Sequence, residues 1–131
     1  MGLDYQHDDR PAAGEINELY EAAQLRRPRD TNRLERMYAG STVIVTARAA
    51  GRLVGVLRGW TDGAFDGYVC DLAVHPEYQR RGVGRDLLRR CTEAYSPEVQ
   101  WVLRASVIAA EYYSHIGWKR IENGWYWSRE Q

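Results

Sequence analysis

Residues 71–90 read DLAVHPEYQRRGVGRDLLRR, and the way this stretch must fold sets the arrangement of the rest of the chain. A short apolar strand runs through His75-Pro76 into a turn carrying Gly82 and Gly84. Val83, Leu87, Leu88, Cys91 and Tyr95 then recur at helical spacing until Pro97 ends the segment. Glycine admits φ values closed to other residues and lets a ligand approach the backbone with no Cβ in between. The first N–H groups of the helix have no intrahelical acceptor, and the positive end of the helix dipole stands behind them. Such a junction favours phosphate oxygens, and Arg80, Arg81 and Arg85 surround it with positive charge. A polyphosphate ligand is expected; a GxG alone does not say which one.

Upstream, Leu3 and Tyr5 alternate as in a short strand, and Ile16, Leu19, Tyr20 and Ala23 give an apolar helical face between Gly14 and Leu25. After a break at Pro28, Asn32 followed by Glu35 resembles a capping box opening a second helix through Leu34, Met37 and Tyr38. Strands are expected over 42–47, 53–60 and 68–74, and their short Gly-bearing connections imply an antiparallel meander. Downstream of the Gly-rich turn and its helix, the pattern predicts a strand over 101–105 and a helix over 108–115 stopped by Gly117. A hairpin of 118–121 and 125–128 around Asn123-Gly124 should finish the chain. The order of elements predicts an α/β domain, a sheet with helices on its faces. The glycine turn lacks GxGxxG, and no GKS or GKT follows it, which disfavours dinucleotide-binding and P-loop folds.

At 131 residues the chain has the usual size of one domain, and residues 1–131 are expected to form a single one. Lys+Arg and Asp+Glu both total 18, so no overall field would draw the chain to nucleic acid or an anionic membrane. Lys119 is the only lysine, and the arginine excess, read alone, reflects composition rather than a binding surface. No apolar run approaches 18 residues and no secretory leader is visible, so a cytoplasmic protein with no membrane partner is expected. Cys70 and Cys91 lack metal-ligand spacing; two reduced, buried thiols and no metal are expected.

Two motifs resemble the GNAT superfamily of N-acetyltransferases, which move an acetyl group from acetyl-CoA to an amine. LAVHPEYQRRGVG, residues 72–84, is similar to the family's strand followed by a Q/R-x-x-G-x-G/A loop, with Gln79, Gly82 and Gly84 matching. EYYSHIGW, residues 111–118, is similar to its FYxxxGF segment, with Tyr113 on the catalytic tyrosine and Gly117 four residues on. The resemblance covers about residues 42–121. It implies a GNAT-like, mixed, mostly antiparallel sheet, with acetyl-CoA as co-substrate in the splay between the fourth and fifth strands. Pantetheine would pair with the edge of Leu72, Ala73 and Val74, and the pyrophosphate would sit on the loop of Gln79, Arg80, Arg81, Gly82, Val83, Gly84 and Arg85. Where many members carry an asparagine after the fifth strand, Ser106 is followed by Val107. Where some carry a glutamate in that strand, Trp101, Val102 and Leu103 stand.

Acetyl transfer to an amine requires a held cofactor, a donor for the developing oxyanion, removal of a proton from the ammonium and a proton for the departing thiolate. A backbone N–H of the fourth strand would serve as the oxyanion donor, a term of about 3 to 4 kcal/mol elsewhere. Tyr113 suits the acid, because a phenol is protonated at neutral pH yet can donate to a nascent thiolate. Asp71 is the candidate base or binder of a cationic acceptor. Strand alternation, however, puts it on the face opposite Tyr68, Cys70, Leu72 and Val74, where it would only anchor another element. His75 or water are the other bases, and His75 before Pro76 reads better as a turn residue. Cys70 as a covalent relay has no histidine partner placed by sequence. The expected reaction is direct attack by a small-molecule or protein amine in a ternary complex. The competing reading is a non-catalytic acyl-CoA-binding sensor or partner-binding module. Acetylation of aminoacyl-tRNA is disfavoured by the zero net charge. Trp125, Tyr126 and Trp127 would line a pocket, bury a homodimer contact or, as favoured here, complete the core.

Overall fold

In a computed structural model of the chain, which describes residues 2–106, 109 and 111–130, five strands form one sheet in the order β1-β2-β3-β4-β5. The strands are β1 (Asp4–His7), β2 (Val43–Ala49), β3 (Arg52–Thr61), β4 (Asp66–Val74) and β5 (Gln100–Leu103). The first four are antiparallel neighbours, and β5 adds parallel to β4 after a helical crossover. The sheet is therefore mixed and mostly antiparallel, as expected. Helices α1 (Ala13–Ala22) and α2 (Thr31–Ala39) cover one face, α3 (Val83–Glu93) covers the other, and a single turn, α4 (Tyr112–His115), follows β5.

Each helix is placed by its apolar stripe. Ile16, Leu19 and Tyr20 of α1 and Leu34 and Tyr38 of α2 pack on Ile44, Leu53, Val56 and Ala73 of the sheet. On the opposite face, Val83, Leu87, Leu88 and Cys91 of α3 pack on Val43, Val45, Val54 and Leu57. Burial of each such aliphatic side chain contributes roughly 1.5–3 kcal/mol. Gly55 lets α3 come this close, because a Cβ there would lie 3.2 Å from both Leu87 and Val83.

Several details differ from the sequence-based expectation. The N-cap of α2 is Asp30, whose side chain accepts from the Asn32 N–H at 3.2 Å, so the box expected at Asn32 and Glu35 does not form. A carboxylate two residues ahead of an N–H already satisfies that orphan donor. One half of such a box is found at α1, where Glu15 accepts from the Ala12 N–H at 2.9 Å while the alanine N-cap offers no acceptor in return. The expected terminal hairpin is absent: residues 118–128 contain no strand, although Gly117 follows α4 with φ +97°. A two-stranded ribbon is marginal unless a sheet supports it. Trp125 and Trp127 are each 97 % exposed, so this aromatic run does not complete the core. Of the helix expected over 108–115, Tyr112–His115 is helical among the described residues; Ile108 and Ala110 lie outside them.

Candidate active site

Two structural events in β4 create the site. Pairing with β5 runs from Asp66↔Gln100 to Val69↔Leu103 and then stops, while β4 continues for five more residues. At the same point the register with β3 shifts, with Gly59 opposite Val69 but Arg58 opposite Asp71, so Cys70 is an extra residue in a β-bulge. The bulge overturns the alternation argument only for Tyr68 and Cys70, while Asp71 keeps the anchoring role expected of it. Tyr68, Cys70 and Asp71 all line one cleft of about 800 Å³ that opens between the end of β5 and the α1/α2 side of the sheet. Leu72 and Val74 pack against the α3 core, with Leu72 also reaching the cleft wall.

Beyond Val69, Leu72, Ala73 and Val74 remain paired with β3, but the opposite, β5-facing edge of β4 has no strand partner among the described residues. The edge leads through a short 3₁₀ turn at Pro76–Tyr78 to the start of α3. His75 belongs to this turn: its Nδ1 accepts from the Glu77 N–H at 3.1 Å and its Nε2 lies 3.2 Å from Arg52. Gln79 donates from its side-chain amide to the Val74 carbonyl at 2.9 Å, which staples the loop to the strand. Gly82 is the N-cap of α3 with φ +81°, a left-handed conformation that favours glycine. The first helical bond runs from the Asp86 N–H to the Gly82 carbonyl, so the N–H groups of Val83, Gly84 and Arg85 precede the ladder. A Cβ on Gly84 would lie 3.1 Å from the Tyr112 hydroxyl, a contact that the tyrosine would have to relieve by a small shift. Arg80, Arg81 and Arg85 are exposed around this turn. Unpaired amides, a left-handed glycine and three arginines fit a pyrophosphate, and a free strand edge beside them fits an extended amide chain.

Tyr113 lies where these parts meet. It packs edge-to-face against Tyr112 and Trp118, with ring centroids 5.3 and 6.2 Å apart. It lines both the large cleft and a smaller hollow of about 270 Å³ against β5 and Trp118. Burial raises its phenol above the usual tyrosine value, so it is fully protonated at neutral pH.

Asp71 is the hub of a buried network. One carboxylate oxygen takes Arg27 Nε at 2.6 Å, and the other takes Arg58 Nε at 2.7 Å and the Tyr20 hydroxyl at 2.8 Å. Tyr20 in turn shares a 2.6 Å hydrogen bond with Tyr38, and Arg58 donates to Ser41 Oγ at 3.2 Å. Burial alone would push the Asp71 carboxyl up; Arg58, Arg27 and Tyr20 together outweigh it and hold the group below the usual carboxylate range. A carboxylate this well satisfied is a poor proton acceptor, which speaks against the base role considered for Asp71. Burial raises the Cys70 thiol, leaving little thiolate for a covalent relay. Among the described residues no group of three or more His, Cys, Asp or Glu is gathered as metal ligands would be, and no helix is long and apolar enough to cross a membrane.

Arg27, Arg58 and Tyr20 were not singled out from sequence. Arg58 did leave a trace there, as a charge inside the apolar run LVGVLRGW, which a strand buried on both faces tolerates only when the charge is paired.

A gap between two strands, a free strand edge and a glycine-capped helix suit an extended ligand that ends in a pyrophosphate. The chain matches the family model for the acetyltransferase (GNAT) domain over residues 16–126 and belongs to the GNAT acetyltransferase family. Among solved structures it is similar to a probable acetyltransferase of unknown function from methicillin-resistant Staphylococcus aureus, with 21% identity, TM-score 0.80 and coverage of 98% of this chain and 100% of that one. A ribosomal-protein-alanine N-acetyltransferase from Brucella melitensis biovar Abortus gives 22% identity, TM-score 0.73 and coverage of 98% and 99%. An aminoglycoside N-acetyltransferase in complex with CoA gives 15% identity, TM-score 0.71 and coverage of 99% and 96%. At these identities the likeness establishes the fold. A search of curated proteins gave no match.

Proposed function

We propose that this chain transfers an acetyl group from acetyl-CoA to a primary amine by direct attack within a ternary complex, as one acetyltransferase domain. The observation that carries this reading is the position of Tyr113, which lines the same cleft as Cys70, Asp71 and Leu72 just past the last β4–β5 pair. Bound acetyl-CoA supplies the activated acyl group. The first-turn amides of Val83, Gly84 and Arg85, with Arg80 and Arg81, would hold its pyrophosphate, and the edge of Leu72, Ala73 and Val74 would hold its pantetheine arm. Gln79 acts indirectly, by fixing the loop to Val74. In this reading Tyr113 delivers a proton to the leaving sulfur.

No free carboxylate lines the described part of the cleft, since Asp71 is spent on Arg27 and Arg58. We assign Asp71 to holding those two arginines and α1 in place. Water then removes the acceptor's proton, helped by the cationic lining, because nearby positive charge lowers the pKa of an ammonium. The same engaged carboxylate is what favours the second reading, a CoA-binding module without turnover.

Thiol release from acetyl-CoA, measured with a panel of primary amines, tests the proposal. Release that depends on both acetyl-CoA and acceptor supports it. CoA binding by calorimetry without release from any acceptor would leave the sensor reading.

A further inference from the structure

We infer that the acceptor is an amine that also carries an acidic group, a carboxylate or a phosphate, and not a polycationic amine. The inference rests on the acetyl-transfer reading above and adds the substrate class. It follows from the charge of the cleft that Tyr113 overlooks. Arg26, Arg27, Arg33, Arg58, Arg104 and Arg129 line it, and Asp71 is its single carboxylate among the described residues. The whole chain has seventeen arginines, once Lys119 is taken from its eighteen basic residues, and eighteen acidic ones. Arginine abundance alone would bring acids and bases to the cleft in equal measure. Six against one is a local concentration that the balanced sequence hides.

The arginines divide by what they already hold. Arg27 and Arg58 are committed: their Nε atoms grip Asp71, and Arg27 also donates to the Arg26 and Cys70 carbonyls at 2.6 and 3.1 Å. They form the rigid floor. Arg26, Arg104 and Arg129 form no ion pair with a carboxylate among the described residues. Arg104 instead lies 4.9 Å above the Tyr126 ring, a contact to the face of the guanidinium that leaves edge donors for a ligand. These side chains come from the α1–α2 connection, the segment after β5 and the C-terminal tail, and all three are exposed.

A partly desolvated cleft of this sign repels amines carrying several positive charges and attracts oxyanions, to which guanidinium offers a two-pronged donor. The pyrophosphate cradle lies elsewhere, at Gly82–Arg85 on the start of α3, so the cleft arginines are not needed there. The fold is shared with an aminoglycoside enzyme, but an aminoglycoside would bring several ammonium groups into a wall of arginine.

Matched acceptors test this: O-phosphoethanolamine against ethanolamine, glutamate against its diamide, and spermidine as the polycation. The expected result is kcat/KM at least about ten-fold higher for each acidic member than for its neutral partner, the effect of one charge-assisted hydrogen bond. The phosphate and carboxylate pairs tell the two acid types apart. Replacing Arg104 and Arg129 by Gln should erase that preference through KM, with the affinity for CoA unchanged. Equal or better use of neutral amines or spermidine overturns the inference while leaving acetyl transfer standing. Should no acceptor turn over, calorimetry on the CoA-loaded chain separates the two claims. Binding of O-phosphoethanolamine but not ethanolamine, lost in the Gln variants, retains the anion site without the transfer reading; no difference in binding overturns both.

Discussion

The two sides of β4 are built in opposite ways. The α3 side is made of backbone: a left-handed Gly82, a bare Gly84, first-turn amides and a free strand edge. The α1/α2 side is made of side chains, where Asp71 fixes Arg27 and Arg58 and further arginines complete the cleft. A backbone site needs few particular residues at fixed spacing. A side-chain site needs many residues brought together from distant segments, which leaves it free to change while the backbone site stays the same.

This contrast can be broken most sharply at Asp71. Asp71→Ala leaves Arg27 and Arg58 without their counter-charge in a place where the carboxylate is fully shielded, and should cost about 3–5 kcal/mol in denaturant unfolding. An unchanged midpoint combined with lost activity would reverse the assignment and make Asp71 the base. The pH dependence follows from the direction of the shift. The folded carboxyl is held below its unfolded value of about 3.9, so its contribution is present above that pH and is lost as pH falls through the lower folded value. The stability difference between wild type and Asp71→Ala should thus be flat from neutrality to about pH 5 and shrink in acid.

Tyr113→Phe acts where the two sides meet. We expect kcat to fall about 100-fold, the scale of one general acid, with acetyl-CoA affinity nearly unchanged. Retained turnover would take the proton-donor role from this residue. On the backbone side, Gly82→Ala forces a left-handed φ on a residue with a Cβ, at a cost of roughly 1–2 kcal/mol. It should weaken CoA binding by about ten-fold and leave the order of preference among acceptors as it was. A change in that order would mean the two sides are not independent. The smallest effect is expected at the tail: Trp125→Ser and Trp127→Ser should each shift stability by less than about 0.5 kcal/mol. A larger loss, with an unfolding midpoint that rises with protein concentration, would show that a second copy covers these rings, the homodimer considered from sequence.

What could be read in the sequence follows the same division. The stripe of Val83, Leu87, Leu88 and Cys91, the strands ahead of it and the glycine turn are local patterns, and each stands where the spacing put it. The cleft was not legible, because Arg27, Arg58, Arg104 and Arg129 have no mutual spacing and meet only through the fold. The side of Asp71 agrees with the alternation for Leu72 and Val74 but not for Tyr68 and Cys70, because strand period is counted from a regular ladder and one extra residue resets the count. Asn123-Gly124 misled in another way. The dipeptide suits a tight turn, but a turn preference without a sheet to receive the strands does not fix a hairpin.

The bulge at Cys70 has a consequence for how such a site can arise or vanish. It follows directly on the last β4–β5 pair, so the same inserted residue turns Asp71 toward its arginines and marks where the two strands part. The Asp71–Arg58 pairing and the end of the β5 ladder thus sit on one irregularity of β4, so a change of register there would alter the anchor and the open edge together.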